Sequence, residues 1–308
     1  MKLASYTYKH KFGETRIGAI HGDRIIDLQE AHRQFLLSRN EEMDAILLPS
    51  NPTAFYRLGH TGIRRAQTAY TYAVEHQVAS TEVERFGVKL ELPVPNPGKI
   101  ICIGTNYADH VKEMKSTIPE HPVLFAKFAN ALIGPEDSIE KSSATEKLDY
   151  EVELAVVIGK RAKKVARKEA DQYIAGYTIA NDISARDLQK RTPQWLQGKT
   201  LDRSTPIGPW IVTVDEIQDP GKLGVKSYIN GEQRQSSNTS ELIFDVPYLV
   251  SFLSELMTLE PGDIILTGTP HGVGFAMDPP TFLKAGDRVT MEIEGIGMME
   301  NYVIDQDA

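Results

Sequence analysis

The run LDYEVELAVVIGK, Leu148 to Lys160, constrains the fold of this chain more than any other stretch. Its Val, Ile, Leu and Tyr content and its stop at Gly159 predict a strand. Side chains alternate faces along a strand, so Glu151 and Glu153 share one face. Two neighbouring carboxylates on an otherwise apolar strand repel each other. Burying them without a counter-charge costs on the order of several kcal/mol. Asp182 stands just beyond the next apolar run, Tyr177 to Ala180, where a second strand gives way to a turn. Three oxygen donors from two strands suit a hard divalent ion, Mg²⁺ or Mn²⁺, with Ca²⁺ a poorer fit. No Cys or His joins the three, which argues against zinc. The alternative is a solvated strand face, where charged side chains usually lie.

Composition narrows the class. A chain of 308 residues holds one large domain or two ordinary ones. Its 41% hydrophobic and 25% charged content is that of a globular protein. A net charge of −8 without a basic patch gives no footing for nucleic acid. No apolar run approaches a membrane span, and the N-terminus shows no secretory pattern, so neither membrane nor export is expected. The single cysteine, Cys102, cannot form an internal disulfide, which fits a reducing cytoplasm. It lies inside an apolar strand and reads as a buried inert thiol.

Residues 1–92 read as a small α+β module. Strands are expected at Ala4–Lys9 and across Arg16–Leu28, the latter broken by a turn at His21-Gly22-Asp23. Helices are expected at Gln29–Ser38 and Ile63–His76. His10, His21, His32, His60 and His76 are scattered among polar neighbours and read as surface residues. Residues 93–99, in the proline-rich segment ELPVPNPGK, form an extended linker, and the main domain spans residues 100–308. It opens with KIICIG, a strand, and TNYADHVKEM, a helix start. On a helix His110 and Glu113 share a face, the arrangement of a general base oriented by a carboxylate or of an ordinary surface pair. In the strand PVLFAKF, Lys127 shares a face with Val123 and Phe125 and either snorkels to water or meets an anion. Gln189 follows a short helix or turn in which Arg186 and Asp187 read as a structural pair. Lys226–Gln235 is a hairpin turning at Asn230-Gly231, Val246–Leu256 an amphipathic helix, and Asp263–Leu266 a strand. It enters TGTPHGVG, whose glycines let backbone N–H groups approach an anion but which lacks the lysine of a P-loop. Arg288–Glu294 and Met298–Ile304 form a closing hairpin.

The Glu-x-Glu strand, the NDISARDLQ segment, ICIGTNYADHVKEM, PVLFAKF, GKTLD, the NGE hairpin and TGTPHGVG together resemble, in order, the fumarylacetoacetate hydrolase superfamily. The resemblance runs from about Lys99 to the C-terminus. It implies a mixed α/β, β-rich fold, a β-sandwich roll behind the small N-terminal domain, and a homodimer. It implies that Glu151, Glu153 and Asp182 bind the metal. His110 and Glu113 would be the catalytic dyad, on a segment that covers the site and continues as a lid through Lys115–Pro122. Lys199, in GKTLD, would sit beside the metal and the substrate enolate. Lys127, Gln189 and Thr269 would contact substrate. Thr105 departs from the pattern, since many relatives carry Arg or Lys there and the larger eukaryotic enzymes a fourth acidic ligand.

The expected activity is therefore a Mg²⁺- or Mn²⁺-dependent hydrolysis of a C–C bond in a small 2-oxo acid such as an acylpyruvate or fumarylpyruvate. His110 would activate water, and the metal would stabilise the departing enolate. Oxaloacetate decarboxylation and 2-oxo acid isomerisation share the enolate and stand as alternatives. A non-catalytic binder of metal or ligand stands as the alternative from another class.

Overall fold

The computed structural model describes residues 1–10, 13–40 and 46–306. Its centre is the strand Val152–Ile158, buried along its whole length. It is flanked on one side by Ile174–Asn181 and on the other by Ile264–Leu266, both antiparallel. Interior strands bury both faces, which explains the near-continuous apolar run. Val152, Leu154, Val156 and Ile158 enter one core cluster, and Ala155 and Val157 the other. By the same alternation Glu153 lies on the second face, at the end of the strand.

The sheet continues outward in both directions. Ile264–Leu266 pairs in parallel with Ile100–Gly104, which pairs with the edge strand Val123–Ala126. On the other side Ile174–Asn181 meets Thr205–Thr213. There Lys2 and Leu3 pair with Val212 and Ile211, so the N-terminal strands Lys2–Tyr8, Arg16–His21, Arg24–Asp27 and Glu82–Glu84 extend the same sheet. The Met1 ammonium group donates to Thr213 Oγ1 at 2.6 Å, fixing that junction. Residues 1–92 thus share a sheet, and one core cluster, with the remainder of the chain. The proline-rich segment lies along this body, with Val94 buried and Pro93 accepting from Ser5 Oγ.

A second sheet of five strands is ordered Glu232–Asn238, Gly224–Ile229, Arg288–Ile293, Gly297–Asp305, Ile139–Lys141. Its apolar residues Val225, Val289, Met291 and Val303 pack with Leu154 and Val156 of the central strand, giving the sandwich. The expected hairpin turn holds, with Asn230 and Gly231 both at positive φ. The N-terminal helices run Leu28–Ser38 and Gly59–Glu75, close to expectation. A third, Pro52–Arg57, was not foreseen. Arg167–Tyr173 forms a 3₁₀ helix. Two of the histidines read as superficial are not. His32 is buried and accepts from the Leu48 N–H, and His60 is half-buried against the Ile174 carbonyl. Cys102 is free and buried, and burial pushes its thiol well up. Among the described residues no helix is long and apolar enough to cross a membrane.

Candidate active site

The register Val152↔Asn181 brings the ends of the two central strands level. The Asp182 N–H then donates to the Glu151 carbonyl at 2.9 Å, and the Glu151 N–H to Asn181 Oδ1 at 3.0 Å. These bonds converge Glu151, Glu153 and Asp182, all buried, with carboxylate oxygens within 4.8 Å of one another.

Three cations surround this charge. Lys199 Nζ donates to Glu151 Oε2 at 2.7 Å and to Asp182 Oδ2 at 2.6 Å. Lys127 Nζ meets Asp182 Oδ1 at 2.8 Å and the Ile183 carbonyl at 3.1 Å. Arg186 Nη1 pairs with Glu151 Oε1 at 2.7 Å, and its Nε with Asp149 Oδ2 at 2.8 Å. Burial pushes Glu151 up, but Lys199 and Arg186 outweigh it and hold the carboxyl at about 2. Lys199 is driven the other way by burial, yet Asp182 and Glu151 raise it above its ordinary value. Glu153 is different. Its one hydrogen bond is from the Gly268 N–H, at 2.7 Å, and among the described residues it forms no ion pair. Burial, then the charges of Asp182 and Glu151, push it well up. An acidic triad with one member lacking a cation, and with oxygen donors alone, fits a hard divalent ion.

The helix Ala108–Glu113 brings His110 over the triad, 8% exposed. His110 Nδ1 lies 3.0 Å from Glu113 Oε2, and Glu113 Oε1 accepts the Gly272 N–H at 2.8 Å. A carboxylate can only accept, so Nδ1 is the donor, and in the neutral ring Nε2 is the nitrogen left to act as base. Asp109 ties the helix to the glycine-rich loop, accepting from His271 Nδ1 at 2.9 Å and from Ser237 Oγ at 2.7 Å. Asn106 anchors the helix entry through Thr267 and Phe244. Thr105, just before Asn106, has φ +51°, an outlying backbone for a β-branched residue.

Glu151, Glu153, His110, Gln189, Lys199 and Thr269 line one cavity of about 290 Å³, which Thr105 also lines. Glu113 stands behind His110. Lys127 and Asp182 both lie outside this cavity's wall; the Lys127 side chain is fully covered and its ammonium group holds Asp182. Arg186 and Asp187 do not pair. Arg186 bridges Asp149 and Glu151, while Asp187 accepts from Thr145 Oγ1 and the Glu146 N–H.

Several residues went unread in the sequence. Asp149 is buried and also accepts from the N–H groups of Tyr150, Gly274 and Phe275, tying the Glu-x-Glu strand to the glycine-rich loop. The period-2 signal that paired Glu151 with Glu153 includes Asp149 and could have found it. Gln235 is buried, accepts from Val152 N and Ser227 Oγ, and donates to Thr269 Oγ1 and the Pro270 carbonyl. Trp195 packs edge-on to Phe125, with centroids 5.3 Å apart, and forms part of the cavity wall. Neither carries a local signal.

Fold and site together define a class: strand-rich α/β proteins in which two members of a buried acidic triad and the histidine of a His–Glu pair line one small cavity. Residues 99–304 match the family model described as Fumarylacetoacetate (FAA) hydrolase C-terminal, and the chain belongs to this family. A Fumarylacetoacetate hydrolase domain-containing protein 2 homolog from Dictyostelium discoideum is 43% identical over 98% of this chain and 97% of its own. Oxaloacetate tautomerase YisK from Bacillus subtilis is 42% identical over 92% and 94%. Among solved structures, maleylpyruvate hydrolase from Sphingobium sp. SYK-6, in complex with manganese(II) ion and pyruvate, superposes with a TM-score of 0.75 at 30% identity, over 100% of both chains. Members of the family are enzymes.

Proposed function

We propose that this protein is a divalent-metal-dependent enzyme of a small 2-oxo dicarboxylic acid and that it interconverts the keto and enol forms of oxaloacetate. The observation that carries the reading is the shared cavity, whose wall holds His110, oriented by Glu113 through Nδ1, together with Glu151 and Glu153 of the triad. Similarity to the Bacillus tautomerase, greater than that to the hydrolase, supports this reaction over C–C cleavage.

A divalent ion, Mg²⁺ or Mn²⁺, held by Glu151, Glu153 and Asp182 would supply Lewis-acid polarisation of the oxo group. The chain's own residues account for the rest. His110 takes a proton from the carbon beside the oxo group, and Glu113 offsets the imidazolium charge. The electrons of the broken C–H bond pass to the oxo oxygen. Lys199, held in its charged form, offsets the enolate charge. His110 returns the proton to that oxygen, which completes the enol and needs no co-reactant. Arg186 Nη2, buried and without a hydrogen-bond partner among the described residues, can receive the substrate's first carboxylate. Gln189, whose Oε1 accepts from Arg186 Nη1 at 3.1 Å, and Thr269, held by Gln235, orient it. Charge supports an anionic substrate. Glu113, Asp149, Glu151, Glu153 and Asp182 exceed Lys127, Arg186 and Lys199 by two negative charges. A divalent ion offsets those, and Lys190 in the cavity wall leaves one positive charge.

C–C hydrolysis is the second reading, favoured by the manganese- and pyruvate-bound neighbour. His110 would then deprotonate water. The test follows decay of enol-oxaloacetate absorbance beside pyruvate release from acetylpyruvate, each with Mg²⁺ or Mn²⁺ and after chelation. Metal-dependent tautomerisation, lowered about 10²–10⁴-fold in His110→Ala with substrate affinity retained, is the expected result. Faster acetylpyruvate cleavage would transfer the assignment to hydrolysis, and no turnover of either would overturn the enzymatic reading of these substrates.

A further inference from the structure

A second cavity, of about 320 Å³, is lined by Tyr150, Arg234, Phe282, Leu283, Lys284 and Asp287 among others. None of these residues lines the active-site cavity. Arg234 is its unusual member. The side chain is 18% exposed, and its Nε is buried with no hydrogen-bond partner among the described residues. Nη1 meets the Met277 thioether, a weak acceptor, at 3.2 Å. Nη2 pairs at 2.9 Å with Glu232, whose side chain is 68% exposed, so water screens that pair. A buried guanidinium edge left unsatisfied is costly and calls for an acceptor. Lys284 forms no ion pair among the described residues and adds a second positive charge to the wall. The one acid there, Asp287, is already occupied by the Lys284 N–H at 2.9 Å and by Asn230 Nδ2 at 2.9 Å. Phe282, Leu283 and the Tyr150 ring supply apolar wall. A planar donor fork, a lysine and apolar walls suit a short carbon chain ending in carboxylate.

One glycine lies between residues of this cavity and the catalytic dyad. Gly272 has φ +96°, and a Cβ there would lie 2.1 Å from the Arg234 carbonyl oxygen, so the two backbones are in direct contact. The Gly272 carbonyl accepts from Tyr150 OH at 3.1 Å, and its N–H donates to Glu113 Oε1 at 2.8 Å. The path from Arg234 to His110 therefore passes through one glycine and one carboxylate. Tyr150 also adjoins Glu151 in sequence, so the same cavity touches the strand of the triad.

We propose that this cavity is a second, regulatory site for a small organic carboxylate, which engages Arg234 and Lys284 and favours the docked arrangement of Gly272, Glu113 and His110. Occupancy raises kcat/KM by holding the dyad in place, an energetic coupling of two sites through one backbone unit.

Malonate is the probe. Calorimetric titration of the full chain is expected to give two equivalents per chain, one of them kept after metal chelation. Arg234→Gln is expected to weaken that metal-independent equivalent at least tenfold, and Lys284→Ala severalfold. Lys284→Ala decides the matter should Arg234→Gln fail to fold. In turnover, low malonate is expected to raise kcat/KM two- to tenfold in wild type and not in Arg234→Gln, whose basal activity is unchanged. One equivalent only, lost on chelation, overturns the proposal, as does a second equivalent that neither substitution weakens. A second equivalent without any effect on turnover overturns its regulatory part. The binding result stands whatever reaction the active site performs.

Discussion

Replacing Asp149 by Asn tests how the candidate site is held together. Asp149 Oδ1 accepts from Tyr150 N at 2.9 Å and Gly274 N at 2.8 Å, while Oδ2 accepts from Arg186 Nε at 2.8 Å and Phe275 N at 3.0 Å. The two oxygens therefore face four donors, all in the interior. Asparagine is nearly isosteric but turns one oxygen into an NH₂ group. Whichever way it is placed, two donors meet a donor, and the buried Arg186 loses one of its two carboxylate partners. An unsatisfied buried donor costs about 1–3 kcal/mol and a charged one more, so the loss is about 3–5 kcal/mol. With an unfolding entropy of about 2.1 cal/mol/K per residue, that lowers Tm by about 5–8 °C in a chain of 308 residues. Arg186 also grips Glu151, so metal affinity is expected to fall about 10–100-fold. Differential scanning fluorimetry with and without Mn²⁺, beside calorimetric metal titration, reads both quantities. A variant with Tm within 1 °C of wild type and metal affinity within twofold, roughly the noise of such assays against the shifts above, would refute the reasoning.

Other substitutions probe separate parts of the site. Glu153→Gln is expected to lose at least about tenfold in metal affinity. Its metal-free Tm should match or exceed that of wild type, because burial and the neighbouring carboxylates already disfavour the Glu153 charge. A lower metal-free Tm on fluorimetry would contradict this. Lys190→Ala is expected to raise KM for oxaloacetate about 5–20-fold with kcat nearly unchanged, as loss of one charge contact at a polar rim implies. Steady-state kinetics with an unchanged KM would remove Lys190 from substrate recognition. Burial pushes Asp109 up, but Ser237, His271 and the His110 N–H more than offset it and hold the carboxyl below its ordinary value. Its ionised form thus stabilises the folded helix. That contribution is full above about pH 4 and lost as pH falls through the lowered value. Amide exchange at residues 108–113, corrected for intrinsic rate, should accelerate on that acid limb. Asp109→Asn should remove the pH dependence, and an unaltered profile would argue against the clasp.

Much of the site was legible before any coordinates. The Glu-x-Glu alternation, the Asn-Asp strand end and the His-x-x-Glu spacing are local patterns, and each places its residues where a strand or helix must. The donor chemistry of the triad also follows from residue type. What was missed depends on contacts across the chain. From its strand position Lys127 reads as snorkelling to water or meeting an anion, and which anion it meets, Asp182, 55 residues away, is set by the fold. Arg186 and Asp187 read as partners because they are adjacent, but Asp149 and Thr145 offer better geometry to each. The N-terminal strands read as a separate module because a proline-rich segment follows them. The edge of the Thr205–Thr213 strand supplies unpaired backbone groups, and that pairing lies beyond any local pattern.

The sequence alone determined the central strand, the face on which Glu151 and Glu153 lie, and the preference for a hard cation, because side-chain alternation and ligand chemistry are local properties. The tertiary structure decided which cations neutralise which carboxylates. Lys199 reaches Glu151 across 48 residues, while among the described residues Glu153 receives the Gly268 N–H alone. It also decided that Gly272 touches both Glu113 and the Arg234 backbone. Such choices depend on register and on the reach of long side chains in a packed interior, where the geometry of every neighbour sets which donor arrives first.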